Sequence, residues 1–223
     1  MMLPTPPAKR DRVIYAAAAV VLSYPDEDVM ARLPLVEEAL IEASAFDRFA
    51  PTFAHLRSMP LMEAQSWHVQ EFDLSRRHAL HLTYWTDGDT RRRGEVLAAV
   101  KQTYRDSGLV VDLNGELPDY LPMVLEFAAN GAPAVGVALL NTYRASLELL
   151  RLGLEGDRLP QAGVLAALCD TLGGPSPRTR AEVQHLHDNP PSELVGLDGF
   201  LTSTPSPACP ASMATGTEQG DRR

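Results

Sequence analysis

An all-helical, single-domain bundle is the fold class this sequence predicts, and three observations carry it. Aromatic residues make up 6% of the chain against 45% hydrophobic residues in total, so the core must rest on Leu, Val and Ala, which favours packed helices over a sheet sandwich. Apolar residues recur at helical spacing in one segment after another, and no alternating run reads as a strand. Gly108, Gly131 and the pair Gly173 and Gly174 stand at the ends of those segments, where helix capping accounts for them. The 223 residues divide into a flexible start at 1–10, a helical domain at 11–188 and a Pro/Ser/Thr-rich, mostly disordered tail at 189–223.

The first helix is expected over residues 11–23, with Asp11 as cap and Pro25 as stop. Its basic start and apolar run imitate a secretory leader. No small-residue cleavage site follows, however, and Val13, Ile14, Ala17, Val20, Val21 and Tyr24 repeat as on a packed helix. The run is also shorter than the ~20 apolar residues a membrane span takes. A second helix is expected over 29–43, broken near Pro34, and a third from Pro51 carrying Phe53 and Leu56. Pro60 opens a fourth that reaches Phe72 and holds Trp67.

Ser75 reads as the cap of a helix over "RRHALHLTYW", which "TDGDT" ends in a turn. Asp89 or Thr90 caps the next, with core positions Val96, Leu97, Val100 and Tyr104 and a stop at Gly108. Asp119 is the expected cap of the following helix, with Pro122 in its first turn, Leu121, Val124, Leu125 and Ala128 buried, and Gly131 at its end. The longest helix then covers 133–153, a shorter one stops at Gly173 and Gly174, and a weak one covers 178–187.

The net charge of −9 argues against general binding to nucleic acid and would draw in a basic peptide. Of the two cysteines, Cys169 falls in an apolar helix and Cys209 in the tail, so neither a disulfide framework nor a zinc knuckle is expected. That usage fits a reducing cytosol. Phosphate-binding glycine loops, nucleophile elbows, paired-histidine metalloprotease helices and dinucleotide fingerprints are absent.

Three groups of polar residues remain. His78 and His81 fall one turn apart on the expected helix with Asp87 and Asp89 beyond, which is either a metal-binding cluster or a polar helix–helix seam. "HLHD" at 185–188 is a weaker metal candidate beside the tail. Arg91, Arg92 and Arg93 occupy a first helical turn, where positive charge opposes the macrodipole, so Asp87 and Asp89 would have to compensate them. The result is either a rigid charged corner offered to a partner or a self-satisfied surface network. Tyr84 and Trp85 are adjacent and cannot both point inward, which leaves one of them at the border of a groove.

"FDLSRRHALHLTYWTDGDTRRRGEVL" followed by "LPDYLPMVLEFAA" resembles the NarJ family, the delta-type assembly chaperones of respiratory nitrate reductase within the TorD-like group. The resemblance runs from about Tyr15 to Asp170. It covers His78, Leu82, Tyr84, Trp85, Asp87, Gly88, Asp89, Thr90, Arg91 and Gly94 in one motif, and Pro118, Asp119, Tyr120, Leu121, Glu126 and Phe127 in the other. It implies a cytoplasmic helical bundle of the TorD-like type that is neither an enzyme nor part of the finished complex.

Such a chaperone binds the apo alpha subunit of nitrate reductase, chiefly through its N-terminal peptide. It keeps the subunit competent to receive the molybdenum cofactor, molybdopterin guanine dinucleotide, and delays membrane attachment. No cofactor of its own is implied; molybdenum cofactor biosynthesis proteins are further partners, and neither nucleic acid nor membrane insertion is expected. The wider group often shows an acid followed by histidine where this chain has Asp119 and Tyr120, which places any activity tied to that histidine in doubt.

The residues and the resemblance meet in one expectation, a helix-in-groove surface for an amphipathic peptide with a basic end. Tyr84, Tyr120 and Phe127 would give apolar contact, and Asp87, Asp119 and Glu126 would attract the basic part, with His78, Trp85, Asp89 and Arg91 completing the surface. The competing readings are a metal enzyme using His78, His81, Asp87 and Asp89, and a regulatory module with a different client.

Overall fold

The computed structural model describes residues 6–87, 91–113 and 115–188, with backbone alone at residues 87, 91 and 185–188. The expected turn at 88–90 and the tail at 189–223 lie outside the described residues. Eleven α-helices are described: α1 Lys9–Leu22, α2 Glu27–Glu42, α3 Phe46–Arg57, α4 Leu61–His68, α5 Leu82–Asp87, α6 Arg91–Asp106, α7 Leu121–Glu126, α8 Pro133–Thr142, α9 Arg144–Gly156, α10 Ala162–Thr171 and α11 Arg180–Asp188. One wide π-turn extends α4 through Val69–Asp73 and another extends α7 through Phe127–Gly131. Among the described residues there is no strand, and His81 and Tyr120 form an isolated antiparallel bridge.

The apolar run at 13–22 is the central helix of this bundle. Ile14, Tyr15, Ala17, Ala18, Ala19, Val20, Val21 and Leu22 are all buried, packed chiefly against α2, α7 and α10. No helix among the described residues is long and apolar enough to cross a membrane. A second packing centre forms where α9 meets α5, α10 and α11.

Several element boundaries differ from the sequence reading, each for a visible reason. Helix α1 starts at Lys9, so Asp11 sits in its first turn rather than at its cap. Pro34 lies inside α2 and does not break it: the proline is on the solvent side, where water can take the carbonyl it leaves unbonded, while buried Leu33 and Leu40 pin both halves. Asp26 caps that helix by accepting from Val29 N–H at 2.7 Å. Helix α3 begins before Pro51 because Phe49 joins Phe53 and Leu56 in one buried stripe.

The expected long helix at 133–153 is two helices, α8 and α9, with a break at Tyr143. Just before it, Asn141 and Thr142 donate to the carbonyls of Val137 and Ala138 four residues back, a competition that bends helices. The apolar phase continues through the break, so the sequence shows no sign of it. The expected helix over 76–85 is the largest departure: residues 74–81 are irregular and only α5 is helical. Ser75 Oγ accepts from Arg77 N–H at 3.2 Å, which closes a local turn instead of capping a helix.

Helix α10 meets α3 backbone to backbone. A β-carbon on Gly163 would lie 2.1 Å from the Arg48 carbonyl oxygen, a contact with no flexible side chain to yield. Gly163→Ala should therefore destabilise the fold by about 1–3 kcal/mol. Gly94→Ala, in open space on α6, should be neutral or slightly stabilising. Urea unfolding of both variants checks this, and equal midpoints would show that α3 and α10 do not pack this closely.

Candidate functional site

Residues 80–82 run antiparallel to residues 119–121 and exchange backbone hydrogen bonds with them. Leu82 N–H donates to the Asp119 carbonyl at 3.1 Å and Leu121 N–H to the Leu80 carbonyl at 2.8 Å. This pairing fixes the position of Asp119. Its side chain is wholly buried, and Oδ2 accepts from Thr83 N–H at 3.0 Å and from Thr83 Oγ at 2.6 Å, while His81 Nδ1 lies 3.3 Å from Oδ1. Asp119 thus caps the start of α5 from across the fold. It is not the side-chain cap of the helix that follows it, which begins after Tyr120 with no such bond.

Burial alone would raise the Asp119 carboxyl above its ordinary range. The hydrogen bonds from His81 and Thr83 outweigh that cost and hold it below, as an ionised acceptor. Arg93 extends the same set. Its Nε–H donates to Thr83 Oγ at 3.2 Å and its guanidinium lies over the Tyr84 ring at 5.9 Å. The locked corner among the described residues is therefore Arg93, Thr83, Asp119 and His81.

His78 belongs to a different constellation. It is buried, with Nδ1 3.2 Å from Glu71 and Nε2 3.0 Å from Asp157 at the end of α9. The two histidines of the proposed metal cluster thus serve separate carboxylates, and they do not share a helix. Among the described residues no three His, Cys, Asp or Glu side chains are grouped to hold a metal ion. Asp89 lies outside the described residues, and Asp87 and Arg91 are placed only as the last residue of α5 and the first of α6.

Two adjoining cavities surround Tyr120. The larger, about 590 Å³, has an apolar floor from Ala16, Ala19 and Val20 of α1 with Met123 and Phe127. Asp112, Glu116 and Glu126 stand around it with Arg32 as the basic residue, so its field is negative. The smaller, about 420 Å³, is bounded by Phe72, Asp73, Arg76, Tyr84 and Arg93. Tyr120 and Glu116 border both.

Of the residues expected at a peptide groove, Tyr84 and Tyr120 line the smaller cavity, and Tyr120, Glu126 and Phe127 the larger. Phe127 is mostly buried against Tyr104, ring centroids 4.8 Å apart. Trp85 is half-buried on the core and donates from Nε1 to the Ala79 carbonyl at 3.0 Å, so Tyr84 is the member of that pair at a cavity. Asp119 and His78 are buried and engaged as described, while Glu126 stands exposed at the rim.

The wall that the sequence reading missed is the connector after α6. Leu109, Val110, Val111 and Leu113 border the larger cavity, and Val110 is 100% exposed. Gly108 and Gly115 flank this stretch with φ of +77° and +87°, backbone that other residues adopt only with strain. The signal was available: an apolar run in a loop between two glycines, with no helical phase to bury it.

Comparison with known proteins agrees with the resemblance. The family described as "Nitrate reductase delta subunit" matches residues 34–154. The nitrate reductase-like protein NarX of Mycobacterium tuberculosis is 42% identical over 161 residues, which cover 71% of this chain and 24% of that protein. The chain therefore spans about a quarter of that relative's length. The probable nitrate reductase molybdenum cofactor assembly chaperone NarJ of Bacillus subtilis is 30% identical over 167 residues, covering 72% of this chain and 89% of that protein. The nitrate reductase molybdenum cofactor assembly chaperone NarJ of Escherichia coli K12 is 30% identical over 143 residues, covering 60% and 58%.

Proposed function

The chain belongs to the nitrate reductase delta subunit family, and from that premise we propose that it is an assembly chaperone for the alpha subunit of a nitrate reductase. It acts in the cytoplasm and is not an enzyme. It holds the apo subunit chiefly by its N-terminal peptide, keeps it open to insertion of molybdopterin guanine dinucleotide, and delays membrane attachment until loading is complete. The cofactor is cargo for the client, delivered with molybdenum cofactor biosynthesis proteins, and none is held permanently by this chain.

The observation that carries this reading is the acid-rimmed apolar cavity between α1, α7 and the 109–113 wall. An amphipathic helix would bury its apolar face on Val20, Met123 and Phe127 and leave its basic end near Glu116 and Glu126. The corner built on Asp119 holds Tyr120 at the cavity edge, so the binding surface is positioned before the client arrives.

Calorimetry with the N-terminal peptide of the alpha subunit tests the proposal. Saturable binding is expected, weakened about tenfold or more by Tyr120→Ala with helicity unchanged. Added salt should slow association more than dissociation, since the acidic rim acts on encounter. Folded wild-type protein that binds no peptide would overturn the proposal.

A further inference from the structure

Glu116 was not among the residues that the sequence singled out, yet it and Tyr120 are the two side chains that border both cavities. Tyr120 forms the partition, with its ring centroid 5.5 Å from that of His81. Burial keeps its phenol protonated, and the charges of Glu116 and Asp73 act in the same direction, with a backbone hydrogen bond at Tyr24 opposing them. Two carboxylates therefore press on one hydroxyl at the junction.

The other acids near the junction have different duties. Asp119 is wholly buried on Thr83 and His81. In the smaller cavity, Arg76 and Arg93 offset Asp73 and Glu116, so its charges balance apart from His81. In the larger cavity three acids face one arginine, and no ion pair of Glu116 is found among the described residues. The negative field that a client meets is thus strongest on the larger side and ends at Glu116.

We infer that Glu116 and the face of the Tyr120 ring form a seat for one lysine or arginine side chain of the client peptide, and so set the direction in which the peptide lies in the larger cavity. This rests on the chaperone reading above. A carboxylate beside an aromatic face satisfies a cation in two ways at once, by a charge-assisted hydrogen bond and by the ring quadrupole. The apolar floor of α1 and α7 then receives the residues on one side of that cation only, which makes Glu116 a determinant of register.

The test uses the full chain and the alpha-subunit N-terminal peptide, with each basic residue of the peptide replaced singly by glutamine. Glu116→Gln is expected to weaken the native peptide about 5- to 10-fold. One peptide replacement should have no further effect in that background, while the others stay additive. Glu116→Lys should regain affinity for the peptide carrying glutamate at that one position. Glu38→Gln, which removes an exposed charge on α2, should leave affinity unchanged and so separates a local seat from the overall field. Additivity of every peptide replacement with Glu116→Gln, or an equal loss in Glu38→Gln, would overturn the seat while leaving the chaperone reading intact. Absence of binding by wild type would overturn both.

Discussion

Glu148→Ala should cost the fold about 3–5 kcal/mol, because it strands buried positive charge. Glu148 is wholly buried on α9 between Arg144 and Arg151, which are themselves mostly buried. Arg151 Nε–H donates to Glu148 at 2.7 Å, and its other nitrogens reach Glu155 and the Pro177 carbonyl. These acceptors outweigh the effect of burial and hold the Arg151 guanidinium above its usual range. Arg144 has less support: its Nη2 is 3.8 Å from Glu148, and among the described residues neither its Nε nor its Nη2 has a hydrogen-bond partner. Alanine at 148 would leave Arg144 desolvated and without the counter-charge that Glu148 gives it.

The same network ties α9 to the segment leading into α11, so the loss should be cooperative rather than local. Replacing all three residues together by Met, Leu and Met should recover most of the stability, since a well-packed apolar cluster avoids the desolvation cost altogether. Urea unfolding of the single and triple variants measures both effects. A Glu148→Ala loss under 1 kcal/mol would mean that water already reaches Arg144. Burial, with Glu148 nearby, also pushes the Cys169 thiol up, which keeps it protonated on the neighbouring helix.

Helices with their own phase were legible in the sequence. Val100 and Tyr104 on α6, Leu121, Val124, Leu125 and Ala128 on α7 and its π-turn, and the end of α10 before Gly173 all follow from spacing and punctuation. What failed was set by distant partners. Residues 76–81 have helix-compatible composition, but Leu80 and Leu82 give their backbone bonds to Leu121 and Asp119. A segment that satisfies its polar groups across the chain has no need of local helix, and nothing within ten residues of it says so.

The site divides in the same way. Tyr84, Tyr120, Glu126 and Phe127 were readable as types of side chain suited to a groove; Tyr84 lines the smaller cavity, Glu126 and Phe127 the larger, and Tyr120 both. The burial of Asp119 and His78 depends on contacts 36 and 79 positions away. Local sequence cannot distinguish a carboxylate that meets a peptide from one that holds the wall behind it. Glu116 is the opposite case: its role as shared border is visible only where the two cavities meet at Tyr120.

Acid should weaken the fold through His68 well before it reaches the carboxylates. His68 ends α4, 5% exposed, with the rings of Tyr24 and Phe72 against it at 5.7 and 4.9 Å. Burial lowers its pKa from 6.5 to about 4, because the charged imidazolium would lose its water. The unfolded chain takes up a proton near pH 6.5 that the folded chain refuses until about pH 4. Stability is therefore full above pH 6.5, falls by about 2 kcal/mol at pH 5, and levels off below pH 4 about 3 kcal/mol lower. Asp119, held below its ordinary range, contributes stability that disappears only at more acid pH, so the two limbs separate. His55, also lowered by burial, is unchanged in a His68 variant and cancels in the comparison. His68→Leu should flatten the slope of stability between pH 6.5 and 4, read from urea midpoints at each pH; parallel slopes in the two proteins would mean that His68 is hydrated in the native state. Since Phe72 and Asp73 follow on the π-turn and border the smaller cavity, charging His68 should loosen that wall first. Peptide affinity of the wild type should then fall over the same pH interval, and fall less in His68→Leu.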